Sequence, residues 1–202
     1  MNFSLSDILH TVGQALAVPC NIVLILLMII TLVQVGHVAV ESFYERKHFK
    51  TNFVRLAKQL QNAGTEEKRM LINNSSLYRG EKAIIMEIID SENMTEDMRR
   101  AIASRLLAEQ EEHYGKILGI TEMAAKLGPM FGLLGTLIPL GPGIVALGRG
   151  DTQTLSNSME MAFDTTIAGV ISAAVCSVLS AIRKRWYARA IGNIELVMEA
   201  LV

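Results

Sequence analysis

The sequence predicts an all-α membrane protein, in which three transmembrane helices are joined to long helices that extend into a cytoplasmic helical bundle. The first supporting observation is the distribution of charge, because residues 41–127 hold 28 of the 39 formal charges. The second is that residues 15–40, 127–148 and 165–182 contain no charged side chain. Each of these segments approaches the roughly 20 apolar residues that a helix needs to cross about 30 Å of hydrocarbon.

The overall composition excludes several other classes of protein. The chain has 202 residues and is 50% apolar, whereas a disordered chain has low hydrophobicity. Its formal net charge of −1 excludes a basic nucleic-acid-binding protein, which needs an excess of positive charge. The two cysteines, Cys20 and Cys176, lie in apolar runs and are too few for a disulfide scaffold.

The transmembrane helices are predicted over residues 15–40, 127–148 and 159–182. The first is apolar on every face, which is rare in a core helix of a soluble protein. The second and third are rich in Gly, Ala, Ser and Thr, so a buried soluble core is the alternative interpretation for those two. The three segments together favour a membrane protein.

The basic residues predict how the chain is oriented in a cytoplasmic (inner) cell membrane. A cytoplasmic helical domain over residues 41–126 and a cytoplasmic C-terminal helix over residues 183–202 would place 18 of the 19 Lys and Arg residues on one side. Cytoplasmic segments of membrane proteins carry such an excess. The N-terminus and a loop over residues 149–158 are then expected outside, with Arg149 as the remaining basic residue.

Residues 1–14 precede the first transmembrane helix and carry apolar side chains at helical spacing, among them Phe3, Ile8 and Val12. This spacing predicts a short amphipathic helix on the outer membrane surface. A frayed terminus is the alternative interpretation. The segment lacks the basic residues that begin a signal peptide, so we do not expect cleavage.

The charged central block is predicted to be helical throughout. Its first helix continues from the first transmembrane segment and stops at Gly64, with an apolar stripe formed by Phe43, Phe49, Phe53, Leu56 and Leu60. A short amphipathic helix follows over residues 81–90. A third helix begins near Thr95 and runs towards the second transmembrane segment.

No group of residues in the sequence indicates catalysis. The chain has no Cys/His spacing typical of a metal site, no Gly-rich phosphate loop and no Ser/His/Asp arrangement. His48 and His113 are isolated histidines, which are poor candidates for metal ligands. We therefore expect neither an enzyme nor a protein with a bound cofactor or metal.

The second transmembrane helix is unusual in its glycines and prolines. Gly128, Gly132 and Gly135 are small residues at spacings that let two helix backbones approach closely, so they predict helix packing. Pro139 and Pro142 each remove a backbone donor and are expected to kink or break the outer half of the helix. The carbonyl groups that they free would need partners from protein or water.

The third transmembrane helix carries small residues on one face and two acids near its outer end. The small face consists of Ala162, Thr166, Gly169, Ala173 and Ser177, and it suits a pore or a close partner. Glu160 and Asp164 lie four residues apart, hence on one face. Ionisable residues in a membrane helix usually serve a function, so both are candidates for an ion pathway. The alternative is that Asp164 reaches external water or pairs with Arg149.

Two short motifs in these helices resemble those of a known family. Residues 132–136 are G-L-L-G-T, and residues 166–169 are T-I-A-G. Together with an outside N-terminus, an isolated first helix and a large cytoplasmic insertion, they resemble the MotA/TolQ/ExbB proton channel family, particularly its three-helix TolQ/ExbB branch. The resemblance in topology covers the whole chain, whereas the resemblance in residues is confined to about 126–185.

The resemblance implies how the chain assembles and what it does. Members of the family form a homopentamer around a pore, which holds a dimer of a single-span ExbD- or TolR-like partner. Ions crossing there are thought to drive a rotation that transmits force. Thr136 matches the pore threonine of the second helix and Thr166 that of the third. Their hydroxyl groups can hand on a proton or a partly dehydrated cation.

The chain also departs from the family pattern. The family often has a glutamate five residues before the third-helix threonine, where this chain has Met161, so either Asp164 or Glu160 would replace it. Pro139 and Pro142 are likewise not expected in that branch. Because of these departures, the sequence leaves open whether the expected transported ion is H⁺ or Na⁺. The alternative function is a non-conducting membrane scaffold or assembly protein, in which the small residues serve packing alone.

Overall fold

The structure is a computed structural model that describes residues 11–48, 53–75, 77, 79–92 and 94–201. Within these ranges the regular structure is helical and no β-strand occurs, which confirms the all-α fold. The helices are α1 (Ala17–His48), α2 (Phe53–Asn62), α3 (Thr65–Asn74), α4 (Arg79–Asp90), α5 (Glu96–Gly148) and α6 (Thr152–Glu199). Residues 11–15, directly before α1, are also helical, whereas the rest of the predicted amphipathic segment lies outside the described residues.

Three helical segments are long and apolar enough to cross a membrane, as the sequence predicted. They are Thr11–Ser42, Glu96–Gly148 and Thr152–Glu199. The helices α5 and α6 contain 53 and 48 residues. At a rise of 1.5 Å per residue, α5 is about 80 Å long, more than twice the thickness of the hydrocarbon layer. Both helices must therefore extend well beyond a membrane.

The connection between α5 and α6 is shorter than the loop predicted over residues 149–158. It consists of residues 149–151, because helical structure resumes at Thr152. Gly150 adopts a φ of 77°, a left-handed conformation that ends helices and favours glycine. Asp151 then caps α6, since the backbone N–H of Thr154 donates to its Oδ1 at 3.0 Å. The Gly-Asp pair thus closes one helix and starts the next within three residues.

The prolines of α5 do not break the helix, so that part of the prediction is wrong. The helix runs from Glu96 to Gly148 with Pro129, Pro139 and Pro142 inside it. A proline removes one hydrogen bond, while the bonds on either side remain, and membrane helices tolerate the loss where other groups satisfy the freed carbonyl. Whether the two outer prolines kink the helix stays a prediction.

The chain divides into two compact units, and we describe each separately. The membrane unit consists of Met1–His37 and Gly119–Ser180, and the charged unit consists of Val38–Leu118 and Ala181–Val202. The core of the charged unit is aliphatic and is formed by Leu56, Leu60, Ile72, Leu77, Ile85, Ile88, Ile89, Ile194, Val197, Met198 and Leu201. The predicted stripe residues Leu56 and Leu60 are buried in it.

The membrane unit has a small apolar core with polar atoms built into it. Leu27, Ala124 and Cys176 form this core. The hydroxyl of Thr31 donates to the carbonyl of Leu27 at 2.7 Å and lies 3.3 Å from the Cys176 sulfur. Helix α1 is therefore held to α6 by a polar contact as well as by packing.

Candidate functional site

A close contact between α5 and α6 positions the candidate pore residues. An added Cβ on Gly169 would lie 2.5 Å from the carbonyl oxygen of Gly128 and 2.8 Å from the Cα of Gly132. One added on Gly135 would lie 2.6 Å from the Cβ of Thr165. The two backbones are thus near enough that side chains larger than hydrogen do not fit. The structure places all three glycines of the predicted packing set in this contact.

The small residues of α6 divide between this contact and the surface. Ala162, Gly169 and Ala173 are buried inside the chain, and the Cβ of Ala173 would lie 3.0 Å from one added on Gly128. Thr166 is half-buried, and Ser177 is exposed. In the single chain the buried members therefore serve helix packing. Their place along a pore of several chains stays a prediction.

The hydroxyl groups of the two candidate threonines point back to their own helices. Thr136 Oγ1 donates to the carbonyl of Leu133 at 2.6 Å, and Thr166 Oγ1 donates to that of Ala162 at 2.9 Å. Because each hydroxyl proton is already engaged, the lone pairs of its oxygen remain available as acceptors. Such an oxygen can accept a hydrogen bond from water or contact a cation.

Thr165 is a residue that the sequence analysis missed. Its Oγ1 lies 3.1 Å from the carbonyl oxygen of Met161 and 3.0 Å from that of Ala162, and its side chain fills the space beside Gly135. The signal was present in the sequence, because Thr165 directly precedes Thr166. Thr165 hence brings a hydroxyl group to the α5–α6 contact, where the Cα of Thr166 also lies.

The acids Asp164 and Glu160 lie on the surface of α6, about 18 Å and 12 Å along the helix from Thr152. Phe163, directly before Asp164 in the sequence, and Ile167, three residues after it, are exposed apolar residues. Neither acid forms a hydrogen bond or an ion pair with the residues that the structure describes, and in particular Asp164 does not pair with Arg149. Asp164 is therefore an acidic side chain on the exposed surface of α6, next to apolar side chains and one turn after Glu160.

The connection before α6 contains another acid, Asp151, that sequence analysis did not select. Its carboxylate accepts from the hydroxyl and the backbone N–H of Thr154. These hydrogen bonds stabilise the charged form and lower the pKa of the Asp151 carboxyl from its ordinary value. Its role is to cap the helix that carries Asp164.

The charged unit contains a polar cluster that charge counting did not reveal. The buried guanidinium of Arg183 donates to a carboxylate oxygen of Glu41 at 2.9 Å, and Tyr187 donates to the other oxygen at 3.3 Å. The ring of Tyr187 stacks on that of Tyr114 at a centroid distance of 4.3 Å. Tyr114 in turn donates to buried Glu81 at 3.4 Å. The helices α1, α4, α5 and α6 are thus linked by hydrogen bonds and one ring-stacking contact.

The comparisons with known proteins place the chain in a family. The sequence model of the MotA/TolQ/ExbB proton channel family matches residues 56–196, which is more than half of the chain. The match includes Thr136, Asp164 and Thr166. No curated protein and no solved structure gives a match. Among the described residues, His, Cys, Asp and Glu side chains form no group of three that could hold a metal ion. The chain is a membrane protein that belongs to the MotA/TolQ/ExbB proton channel family.

Proposed function

We propose that the chain is the pore-forming stator subunit of an ion-driven membrane motor. In this proposal several copies, five by resemblance to the family, surround a dimer of a single-span ExbD/TolR-like partner. Flow of H⁺ or Na⁺ past that partner does mechanical work. The observation that carries the proposal is the position of Asp164 on the exposed face of an apolar helix.

The argument rests on the cost of a carboxylate in hydrocarbon. An aspartate in a membrane helix is costly, by about 3 kcal/mol at the helix centre on insertion scales and by less towards its ends, and such residues face a bundle interior or a water-filled cavity. Asp164 has no partner among the described residues of its own chain. The simplest arrangement that satisfies it directs this face of α6 towards other chains around a hydrated path.

The threonines support the same arrangement. Thr165 and Thr166 lie within one helical turn of Asp164, and their oxygens retain acceptor capacity. Thr136 lies one turn beyond Gly132. A Cβ added on Gly132 would lie 3.6 Å from the Cα of Thr166, so Gly132 packs against that residue. A carboxylate and several hydroxyl oxygens would thus be available to an ion at one level of the α5–α6 pair.

The proposal is tested by measuring ion flux in vesicles that contain the chain and its partner. The partner is sought as a single-span protein with an aspartate near the start of its span, encoded by a neighbouring reading frame. Asp164→Asn and Thr166→Ala are each expected to lower flux by about 100-fold, which is the lower end of the range for loss of one positioned proton-transfer group. Thr166→Ser, which keeps the hydroxyl, should retain most of it.

The matched control is Asp97→Asn, which makes the same chemical change at an exposed position of the charged unit. It should leave flux and oligomer size unchanged. Normal flux in both Asp164→Asn and Thr166→Ala, with the partner present and the oligomer intact, would show that the ion pathway lies elsewhere.

The close contact between α5 and α6 favours a second candidate, a non-conducting membrane scaffold. The glycines that resemble a pore motif are fully occupied by packing within one chain. In a scaffold, Gly132→Leu would disrupt assembly, and no ion flux would appear with any partner. Flux that depends on Asp164 separates the two functions.

A further inference from the structure

The charged unit contains a cavity that the proposed ion path does not use. Its volume is about 290 Å³, close to the lower limit of about 300 Å³ for small-molecule sites. The lining residues come from α1, α4, α5 and α6, and all of them belong to the charged unit. Neither Asp164 nor the candidate threonines line it, so a ligand bound here would have a site of its own.

Two glutamates line the cavity, and a tyrosine hydroxyl donates to each of them. Glu81 is 2% exposed and accepts from Tyr114 at 3.4 Å. Glu41 accepts from Tyr187 at 3.3 Å and from Arg183 at 2.9 Å. Both tyrosines line the cavity as well. Because an ionised carboxylate offers about four acceptor sites, each glutamate can accept a hydrogen bond from a further donor.

Aromatic and aliphatic side chains form much of the remaining lining. Trp186 accompanies the stacked rings of Tyr114 and Tyr187, whose centroids lie 4.3 Å apart. Each ring of a stacked pair keeps one face for other contacts, and aromatic faces attract organic cations. The aliphatic part of the lining consists of Val40, Ile117 and Ala190.

This combination selects a ligand that is both positively charged and partly apolar. The carboxylates repel an anion, and aromatic or aliphatic walls do not ligate a hard metal ion. An organic ammonium group can donate hydrogen bonds to the carboxylates while its carbon atoms contact the aromatic rings. Gln110 and His113 also line the cavity, and each offers a further acceptor, an amide oxygen and the ring nitrogen of a neutral imidazole. We propose that this cavity binds an organic ammonium group.

Two sources can supply such a group. Glu41 and Trp186 lie one and four residues beyond the ends of the first and third predicted transmembrane helices. A phospholipid headgroup that carries an ammonium group is therefore one source, and a dissolved amine is the other. The inference goes beyond the proposed function and holds whether or not the protein conducts ions.

The test uses Trp186 as its reporter, because this residue lines the cavity and is the only tryptophan of the chain. The fluorescence of the purified full-length protein is recorded in dodecyl maltoside, a detergent without an ammonium group, while n-butylammonium chloride is titrated. We expect a saturable change in the Trp186 emission. Butyramide, which is neutral and of similar size, should give no such change, and neither should NaCl at equal ionic strength.

Glu81→Gln is the decisive variant, because it keeps the shape of the side chain and removes its charge. Binding of n-butylammonium should weaken by about 10-fold or more, the loss expected for one hydrogen bond between charged groups. Ala190→Leu tests the cavity independently of charge, since the larger side chain would fill the space, and it should abolish the saturable change.

The matched control is Glu111→Gln, which makes the same chemical change at an exposed position of α5 that does not line the cavity. It should bind n-butylammonium as tightly as the wild type does. Far-UV circular dichroism and size-exclusion chromatography show whether each variant is folded.

Two lipids distinguish the sources of the ammonium group. If a lipid headgroup fills the cavity, phosphatidylethanolamine added to the detergent should weaken n-butylammonium binding, whereas phosphatidylglycerol with the same acyl chains should not. If the ligand is a dissolved amine, both lipids should leave binding unchanged. Either result supports an ammonium site, since the saturable response to n-butylammonium is common to both.

Several results would overturn the proposal. They are the absence of a saturable response in the wild type, an equal response to butyramide or NaCl, and wild-type binding in a folded Glu81→Gln or Ala190→Leu variant. Equal weakening in Glu111→Gln would also overturn it, because the effect would then come from overall charge. These measurements do not involve ion flux, so they can fail while the proposed function holds, and the reverse is equally true.

Discussion

Arg183 is the most deeply buried charged residue in the described part of the charged unit. It is 1% exposed, and the carboxylate of Glu41 beside it is 34% exposed. A charge removed from water to that extent needs paired and hydrogen-bonded neighbours. The sequence analysis counted Arg183 only among the 18 basic residues expected on the cytoplasmic side. Composition carries no information about burial, so the buried position of Arg183 was not predicted. Its pairing with a residue 142 positions away depends on how the helices pack.

This pairing makes Glu41→Gln a destabilising change. The amide keeps the shape of the side chain but removes the charge to which the buried guanidinium donates. We expect the free energy of unfolding to fall by about 2 kcal/mol, the usual value for a hydrogen bond between charged groups. The loss is measured by denaturant unfolding in detergent. Glu109→Gln, which breaks an exposed pair with Arg105, should change it by less than about 0.5 kcal/mol.

Asp151 predicts a pH dependence at the start of α6. Its pKa is lower in the folded chain than in the unfolded chain, because Thr154 donates to the charged form. The stabilising contribution is thus complete above the unfolded pKa of about 3.9 and is lost as the pH falls through the folded pKa. Asp151→Asn still caps the helix but does not titrate. Its Tm should match the wild type at pH 7 and fall less steeply below pH 4.

At the scale of single helices, the sequence predicted which helices form better than it predicted where each helix begins and ends. Long apolar runs predicted the three membrane helices, since a membrane removes the apolar residues of such a long helix from water. The continuity of α5 through Pro139 and Pro142 was not predictable, because a proline can either end a membrane helix or be tolerated inside it. The short α5–α6 connection could have been predicted from Gly150 and Asp151, because glycine often ends a helix and aspartate often caps the start of the next one.

The contact of α5 with α6 predicts that Gly169→Ala is strongly destabilising. The new methyl would meet the backbone of Gly128 and Gly132 at 2.5–2.8 Å, so the helices would have to separate. Overpacking of this kind costs about 1–3 kcal/mol. Gly141→Ala is the control, since an added Cβ there meets nothing within 4 Å. Unfolding in detergent should distinguish the two variants, and equal stabilities would contradict the close contact.

At the scale of the whole molecule, the predicted cytoplasmic location of the charged segments stays a prediction. The predicted cytoplasmic segments, residues 41–126 and 183–202, overlap most of the charged unit. The candidate site was predicted less fully. Thr136 and Thr166 came from short motifs and Asp164 from its acidic side chain in an apolar segment, whereas the contact of Thr165 with Gly135 depends on packing between helices. No spacing along one helix reveals such contacts.

The charge map also predicts which unit a membrane-impermeant maleimide reaches in intact cells. Gln153 and Glu111 are both exposed, the first beside the α5–α6 connection and the second in the charged unit. Because 18 of the 19 basic residues are expected inside, Gln153→Cys should be labelled in intact cells and Glu111→Cys only after permeabilisation. The wild type supplies the background, since Cys20 and Cys176 are buried. Labelling of Glu111→Cys in intact cells, with Gln153→Cys protected, would reverse the orientation and place Asp164 near the cytoplasmic side.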